Sequence, residues 1–502
     1  MQSETMQTGG TGRTSDTSFF GHPRGLATLF FVEMWERFSY YGMRALLILY
    51  MTASAANGGL GFDLATAGAV YGLYTSSVYL LSLPGGWVAD RILGQRRAVF
   101  LGGILIILGQ LCLGIYGIPS FYFGLLLLVL GTGLLKPNVS TIVGQLYAME
   151  DRRRDAGFSI FYMGINTGAF LSPLLIGWVG QKVNWNLGFA LAGVGMVIGL
   201  IQYHFGAKHL GDAGLYPVKA ESEADDAKQR THLIRGILAG STLLAVPFLL
   251  NSSGILAITA EGVANAAGII LILAFVGVFG WLLTSKSFTI VERKRFAACL
   301  LLFIASVMFW SAFEQAGSTL NLFADRSTKN EIFGFDFPSS WYQSLNSAFM
   351  IFGLAPAFAW LWVRLGSREP SSPMKFVFGL LLVGAGFLVM VFGAIRADNG
   401  VLVSPFWLTL TYFLHTCGEL CLSPVGLSAF AKLAPPRVAG LMMGVFFLSI
   451  SIGNYVGGRV ASVYEVFSTA TLFGVVAAFC IGLGVLMILL VPSMKRLMGG
   501  VH

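Results

Sequence analysis

The sequence predicts an all-α polytopic membrane protein of fourteen transmembrane helices, two six-helix bundles plus an extra two-helix hairpin. Three observations predict it. Of the 502 residues, 55% are hydrophobic and 11% charged, whereas soluble domains carry about a quarter charged residues; the mean hydropathy is +0.74. Apolar runs long enough to cross a bilayer recur along the whole chain. The basic residues sit in short connections that alternate between rich and poor.

The runs place spans at 25–52, 65–90, 98–117, 120–147, 158–180, 186–205, 233–251, 262–285, 296–323, 341–365, 375–396, 404–432, 438–464 and 468–492. An even number of crossings puts both termini on one side. If that side is the cytoplasm, 24 of the 32 Lys and Arg residues fall inside, and only Lys182, Arg326, Lys329 and Arg396 fall outside. The positive-inside rule therefore predicts cytoplasmic termini and a multi-pass protein of the inner (plasma) membrane. The net charge of +8 is spread over loops and does not form one basic surface, so nucleic acid is not an expected partner.

Residues 1–22 are polar and lack the apolar core of a signal peptide, so they read as a disordered cytoplasmic tail. The expected organisation continues with an N-terminal bundle at 23–206 and a polar cytoplasmic linker at 207–232. The extra hairpin follows at 233–290, then a C-terminal bundle at 291–493 and a tail at 494–502. The five cysteines all lie in apolar spans, which argues against a disulfide framework. Cys417 and Cys421 are four apart, yet no matching ligand pair accompanies them, and no metal site is expected.

The first span holds an unusual set of side chains. VEMWERFSYYGMRALLILY, residues 32–50, carries Glu33, Glu36, Arg37 and Arg44. On a helix, Glu33, Arg37, Tyr41 and Arg44 share a stripe bordered by Glu36 and Tyr40. Each charge at mid-bilayer costs about 2.5–3.5 kcal/mol on insertion scales, so these groups must pair or face water inside a bundle.

The second span ends in GGWVADRILGQRR, residues 85–97. This G-x-x-x-D-R-x-x-G-x-R-R order resembles the loop between helices 2 and 3 of the major facilitator superfamily. WVRLGSREPSSPMK, residues 362–375, looks like a degenerate copy, which suggests two halves related by an internal repeat. The fourth span places Lys136 before Pro137, where it needs a carboxylate or a water-filled cavity. The fifth brings Asn166, with amide donors and an acceptor inside the bilayer.

The two spans after the linker have no ionisable group in their interiors and suit a peripheral hairpin. The ninth span contains Trp310 and Glu314 four apart, with Gln315 alongside. The tenth contains Asn346. In the twelfth, His415 and Glu419 are one turn apart, and Ser423 and Pro424 are expected to break the helix below them. His415 reads as an interhelical hydrogen-bonder, while Glu419, with no local cation, needs a distant partner.

Together, E-x-x-E-R at Glu33, Glu36 and Arg37, Tyr40 and Tyr41, KPN at Lys136 to Asn138, FSIFYMGIN ending at Asn166, FEQ around Glu314 and GELCLSPVGLS around Glu419 resemble the proton-dependent oligopeptide transporters (POT/PTR2) of the major facilitator superfamily, bacterial type. The resemblance implies a proton-coupled symporter that takes up di- and tripeptides by alternating access. It implies Arg37 and Lys136 on the peptide carboxylate, Glu419 on the amino group, and Asn166 and Asn346 as amide partners. Tyr40, Tyr41, Tyr79 and Trp310 would shape side-chain pockets, with Ser423 and Phe446 also lining the site; the family often has Trp where Phe446 stands. Arg44 with Glu314, and Lys136 with Glu419, would form the outer and inner gate pairs.

The residue types suit a zwitterion independently of the resemblance. Cations from the first half and anions from the second match the two ends of a short peptide. Opening an ion pair shifts a desolvated carboxylate's affinity for protons, so Glu33, Glu36 and Glu314 are the expected proton-coupling groups. The alternative is a facilitator-fold carrier of another small anion or metabolite such as nitrate. No enzyme is expected, because His415 has no convincing nucleophile beyond Ser423. No cofactor is expected beyond the coupling proton, and the expected partners are peptides, protons and the bilayer, with the chain a monomer.

Overall fold

In the computed structural model, residues 16–148, 150–217 and 259–499 are described, together with scattered positions from 222 to 257. Most of the expected span at 233–251, part of the linker and the first fifteen residues lie outside the described residues. Six helices come first: α1 Arg24–Thr52, α2 Leu64–Val88, α3 Gln95–Leu113, α4 Ile118–Gln145, α5 Arg154–Lys182 and α6 Trp185–Gly206. Among the described residues, the helices continue with α7 Ala260–Thr284, α8 Ile290–Phe313, α9 Thr319–Ser327, α10 Ser344–Phe349, α11 Ala355–Leu365, α12 Ser372–Ala397, α13 Phe406–Leu433, α14 Ala439–Ser462 and α15 Thr469–Met498. Each described span of the sequence reading is met by one of these helices or by a stacked pair.

Ten helical segments among the described residues are long and apolar enough to cross a membrane. α1 is not one of them, because every 18-residue stretch of it holds at least three charged residues. Two spans are interrupted. A 3-10 turn, Glu314–Gly317, separates α8 from α9, and a π turn, Met350–Leu354, separates α10 from α11. One expectation is corrected: α13 runs unbroken through Pro424 from Phe406 to Leu433, since a membrane helix tolerates the one lost donor when neighbouring turns absorb it.

Contacts divide the chain into two compact units. One comprises Met1–Gly42, Leu81–Ser172 and Phe189–Leu249, the other Met43–Leu80, Pro173–Gly188 and Leu250–His502. Helices α1, α2, α5 and α6 contribute residues to both.

In the first unit, small residues let helices meet backbone to backbone. A Cβ at Gly102 would stand 2.6 Å from the Gly131 carbonyl, and one at Gly109 2.9 Å from the Gly124 carbonyl, so the backbones of α3 and α4 approach closely at these points. Gly94, with φ +77, turns the chain between α2 and α3, and a Cβ there would sit 2.9 Å from the Leu215 carbonyl. Around this turn, Gln95 donates to Asp90 at 2.7 Å, Arg96 donates to the carbonyls of Gly211 and Ala213, and Gln145 accepts from Gly214 N at 2.7 Å. Before α1, Asp16 accepts from Arg24 N at 2.8 Å, and His22 Nδ1 lies 2.9 Å from the Tyr147 hydroxyl.

In the second unit, α8 begins with a Thr289/Glu292 capping box, which satisfies two orphan amide donors reciprocally. Phe296, Phe309, Phe323, Phe376, Phe387, Phe430 and Phe473 are fully buried there. Gly68 and Gly72 of α2 press on α14, where a Cβ at Gly458 would overlap the backbone of Gly72. Hydroxyls complete the contacts: Ser451 Oγ donates to Ser76 O at 2.8 Å, and Ser306 pairs with Ser449 at 2.7 Å. Gly366, with φ +49, turns the chain between α11 and α12, where Lys375 pairs with Glu369. α7 touches the unit through Phe275 stacked on Phe303 at 5.1 Å, while Ile269, Ile270, Ile272, Leu273 and Val276 are exposed, as a peripheral helix requires.

Candidate functional site

The charged side chains of α1 form two separate centres, seven residues apart. In the first unit, Glu33, Glu36 and Arg37 are all buried, at 3%, 1% and 2% exposure. Because the helix is continuous here, Glu33 stands one turn before Arg37 and Glu36 immediately precedes it. Both acids converge on one nitrogen: Arg37 Nε is 3.3 Å from Glu33 Oε1 and is also bonded to Glu36 Oε2. Two carboxylates thus face one guanidinium edge, an excess of one negative charge if all are ionised.

The Arg37 guanidinium lies 5.0 Å from the Tyr40 ring centroid and 6.0 Å from that of Tyr41, within cation–π range. Glycines bring α5 against this segment: a Cβ at Gly164 would stand 2.9 Å from the Phe30 ring, and one at Gly168 2.9 Å from Phe38 N. Asn166 on α5 is buried, and its Nδ2 donates to Tyr162 O of its own helix at 3.1 Å. Lys136 is half-buried on α4, which continues through Pro137 to Gln145.

The second centre belongs to the second unit. Arg44 Nη1 meets Glu314 Oε2 at 2.7 Å, with the two residues 5% and 4% exposed. Glu314 is placed by the helix interruption, since it opens the 3-10 turn that ends at Gly317. Gly317 is required there, because a Cβ would stand 2.7 Å from Arg44 Nε and overlap the Tyr71 hydroxyl. Tyr412 donates to the Ala316 carbonyl at 3.3 Å, and Asn321 Nδ2 donates to Ala45 O at 2.8 Å, so the turn is held from α13 and from α1.

One turn before Glu314, Trp310 is 7% exposed and its indole N–H has no hydrogen-bond partner. Such a buried donor is the type of group that a ligand acceptor or an ordered water satisfies. Asn346 Nδ2 donates to Glu419 Oε2 and to Thr416 Oγ1, both at 3.0 Å, which fixes the carboxylate from α10. Glu419 and Ser423 are half-buried on α13, and Tyr79 is 9% exposed on α2. Phe446 is packed against Phe430 at 5.6 Å and against Gly426. His415 is buried, with Nε2 3.2 Å from Val383 O, in the interhelical role expected of it.

The structure therefore brings together Glu33, Glu36, Arg37, Tyr40 and Tyr41 in one unit. It brings together Arg44 with Glu314, and Asn346 with Glu419, in the other. Thr416, Tyr71 and Tyr412 were not singled out from the sequence. Tyr412 and Thr416 lie seven and three residues before Glu419, on its helix face, and that spacing was the available signal.

Buried ion pairs on broken and glycine-packed membrane helices define a polytopic membrane transporter rather than a soluble or single-span protein. The sequence model of the POT family (PTR2) matches residues 96–478, and the chain belongs to that family. It is 45% identical to the uncharacterized transporter YclF of Bacillus subtilis over 96% of each chain. It is 39% identical to the peptide transporter YePEPT of Yersinia enterocolitica, covering 99% of this chain and 98% of that one. A di-/tripeptide transporter of Lactococcus lactis subsp. cremoris is 39% identical over 97% of this chain and 99% of that one. Among solved structures, a peptide transporter POT in complex with sulfate superposes with a TM-score of 0.90 at 44% identity, covering 96% of this chain and 97% of that one.

Proposed function

We propose that this chain is a proton-coupled symporter that imports di- and tripeptides across the plasma membrane by alternating access, with both termini in the cytoplasm. The observation that carries this reading is the convergence of Glu33 and Glu36 on the single Nε of Arg37. A peptide carboxylate that binds Arg37 must displace at least one of these acids, and a displaced buried carboxylate is stabilised by taking a proton. Substrate and proton binding are thereby linked at one guanidinium.

Lys136 supplies the second cation for the carboxylate end. Asn166 serves that end as an amide partner. Glu419, oriented by Asn346, receives the amino group, and Tyr40, Tyr41, Tyr79, Trp310, Ser423 and Phe446 line the variable middle. Recognition of the two ends leaves side chains free to vary, which gives breadth. Relatives named as peptide transporters support this substrate class. Nitrate has no second, cationic end for Glu419 to recognise. Arg44 with Glu314 serves as the outer gate pair, with Glu314 responsive to protons, and Lys136 with Glu419 as the inner one. One proton driven by about 100 mV and one pH unit supplies roughly 2.3 plus 1.4 kcal/mol, enough for accumulation of several hundredfold.

The test is uptake of a labelled dipeptide into proteoliposomes, with and without an imposed pH gradient. The wild type concentrates peptide only with the gradient. Glu33→Gln or Glu36→Gln abolishes accumulation while leaving peptide counterflow measurable. Undiminished accumulation in both variants overturns the coupling role, and absence of peptide uptake by the wild type overturns the substrate.

A further inference from the structure

In the second unit, the C-terminal part of α5 is held by the end of α9 and the segment that connects it to α10, at the end of the spans expected to face outside. Gln181 is the centre of this contact. Its Nε2 donates to Ser339 Oγ at 2.8 Å and to Asp325 Oδ1 at 3.2 Å, and its Oε1 accepts from Ser340 N at 3.0 Å. Ser339 Oγ in turn donates to the same Asp325 oxygen at 2.9 Å. One turn earlier, Gly177 faces the Ser340 side chain so closely that a Cβ would overlap its hydroxyl. A further turn back, Trp341 Nε1 donates to Leu174 O at 3.1 Å, while Lys182, next to Gln181, pairs with Asp336.

A primary amide both donates and accepts, so one glutamine closes three contacts without carrying a charge. That distinguishes the Gln181 side chain from both members of the Arg44–Glu314 ion pair, while one of its three partners, Asp325, is itself a titratable acid. Ser339 and Ser340 are 2% and 0% exposed. If the glutamine is cut back while the segment stays packed, the Ser340 amide loses its acceptor and Ser339 Oγ loses one of its two partners, keeping Asp325, and neither simply regains water.

We propose that Gln181 is a positioning residue for transport: a charge-neutral latch that holds the outer end of α5 on the Asp325–Trp341 segment, in parallel with the Arg44–Glu314 pair. The proposal rests on the alternating-access reading above. Its consequence is a division of labour. Protonation weakens the ion pair, whereas the glutamine sets a bias toward outer closure that persists whatever the protonation state of Glu314.

The experiment measures the latch directly, independently of whether peptide is transported. Spin labels are attached at Val183→Cys and Phe333→Cys, two exposed positions flanking the contact, in a Cys112→Ser background. The other four native cysteines are buried. Distance distributions are recorded for the full-length protein in nanodiscs. Gln181→Ala raises the ratio of the long-distance to the short-distance population roughly tenfold, the worth of one or two neutral hydrogen bonds. Gln181→Glu, which sets a carboxylate against Asp325, raises it further. Ser339→Ala, a milder change suited to the case in which the glutamine variants fold poorly, shifts the ratio the same way by less.

In proteoliposomes, Gln181→Ala lowers the apparent KM for external dipeptide and lowers kcat, since the outward-facing state is more populated and closure is less favourable. A merely structural loss would reduce the amount of active protein and leave KM unchanged. Distance distributions identical to the wild type in both Gln181→Ala and Ser339→Ala overturn the latch. A wild type that carries no peptide but shows the distance shift overturns the transport reading and leaves the latch standing.

Discussion

Replacing Glu314 with Gln tests the second charge centre, and the structure fixes what is lost. Arg44 and Glu314 meet at 2.7 Å with 5% and 4% exposure, so neither side chain recovers full hydration when its partner is removed. Breaking a buried pair by removing one charge costs about 3–5 kcal/mol, and an amide of the same shape retains a neutral hydrogen bond worth about 1 kcal/mol. The net weakening of the packed arrangement is then about 3 kcal/mol, or somewhat over a hundredfold in the open population. Helical amides exchange through such openings, so hydrogen exchange followed by mass spectrometry reads the change. Peptides covering Glu314 to Leu322, the turn and helix that Asn321 ties to Ala45, exchange more than tenfold faster in the variant, while peptides of α12 are unaffected. If exchange in that stretch is unchanged, the pair does not hold the turn, and its assignment as a gate fails.

Three further outcomes are expected. Gly458→Ala forces a methyl group into the backbone of Gly72, an overlap that rigid helices cannot absorb, and should destabilise the protein by about 2 kcal/mol or more, read as a fall in detergent melting temperature; an unchanged melting temperature refutes the close contact. Asn346→Ala removes the donor that orients Glu419 and should raise the KM for dipeptides several-fold with little change in the amount of folded protein, as measured by uptake at saturating and limiting peptide. The third concerns Asp16, whose carboxyl is held below the ordinary range by the Ser18 hydroxyl and the Arg24 amide. A depressed acid contributes stability above its unfolded pKa of about 3.9 and loses it as pH falls through its folded value. Exchange protection of residues 19–26 should therefore persist from neutrality down to about pH 4 and weaken below it, and Asp16→Asn should remove that step.

Much of the architecture was readable in the chain because a bilayer leaves few options. Backbone groups must be satisfied within each segment, so an apolar run of sufficient length is a helix. The helix interruption at Glu314–Gly317 was not readable, because a 3-10 turn changes hydrogen-bond register without changing hydropathy; Gly317 marks it only once Tyr71 and Arg44 are known to press on that position. Pro424 misled for the opposite reason: its local signature is that of a breaker, and the surrounding helices override it. The charged centres were legible as anomalies, since acids and arginines have no place on a lipid-facing helix. Their pairing within α1 followed from spacing alone, whereas Asn346 with Glu419 required the fold. Gln181 carried no signal at all, because a neutral residue at a helix end resembles ordinary interfacial polarity.

The contact of Gly68 and Gly72 with Gly458 has a consequence beyond close packing. Most helix faces, once parted, return their side chains to several rotamers and must order them again to re-form, at up to about 2 kcal/mol for each long side chain. A face made of glycine has no rotamers to lose. Such a joint has little side-chain entropy to lose when it closes, so its strength is set mainly by how well the backbones fit.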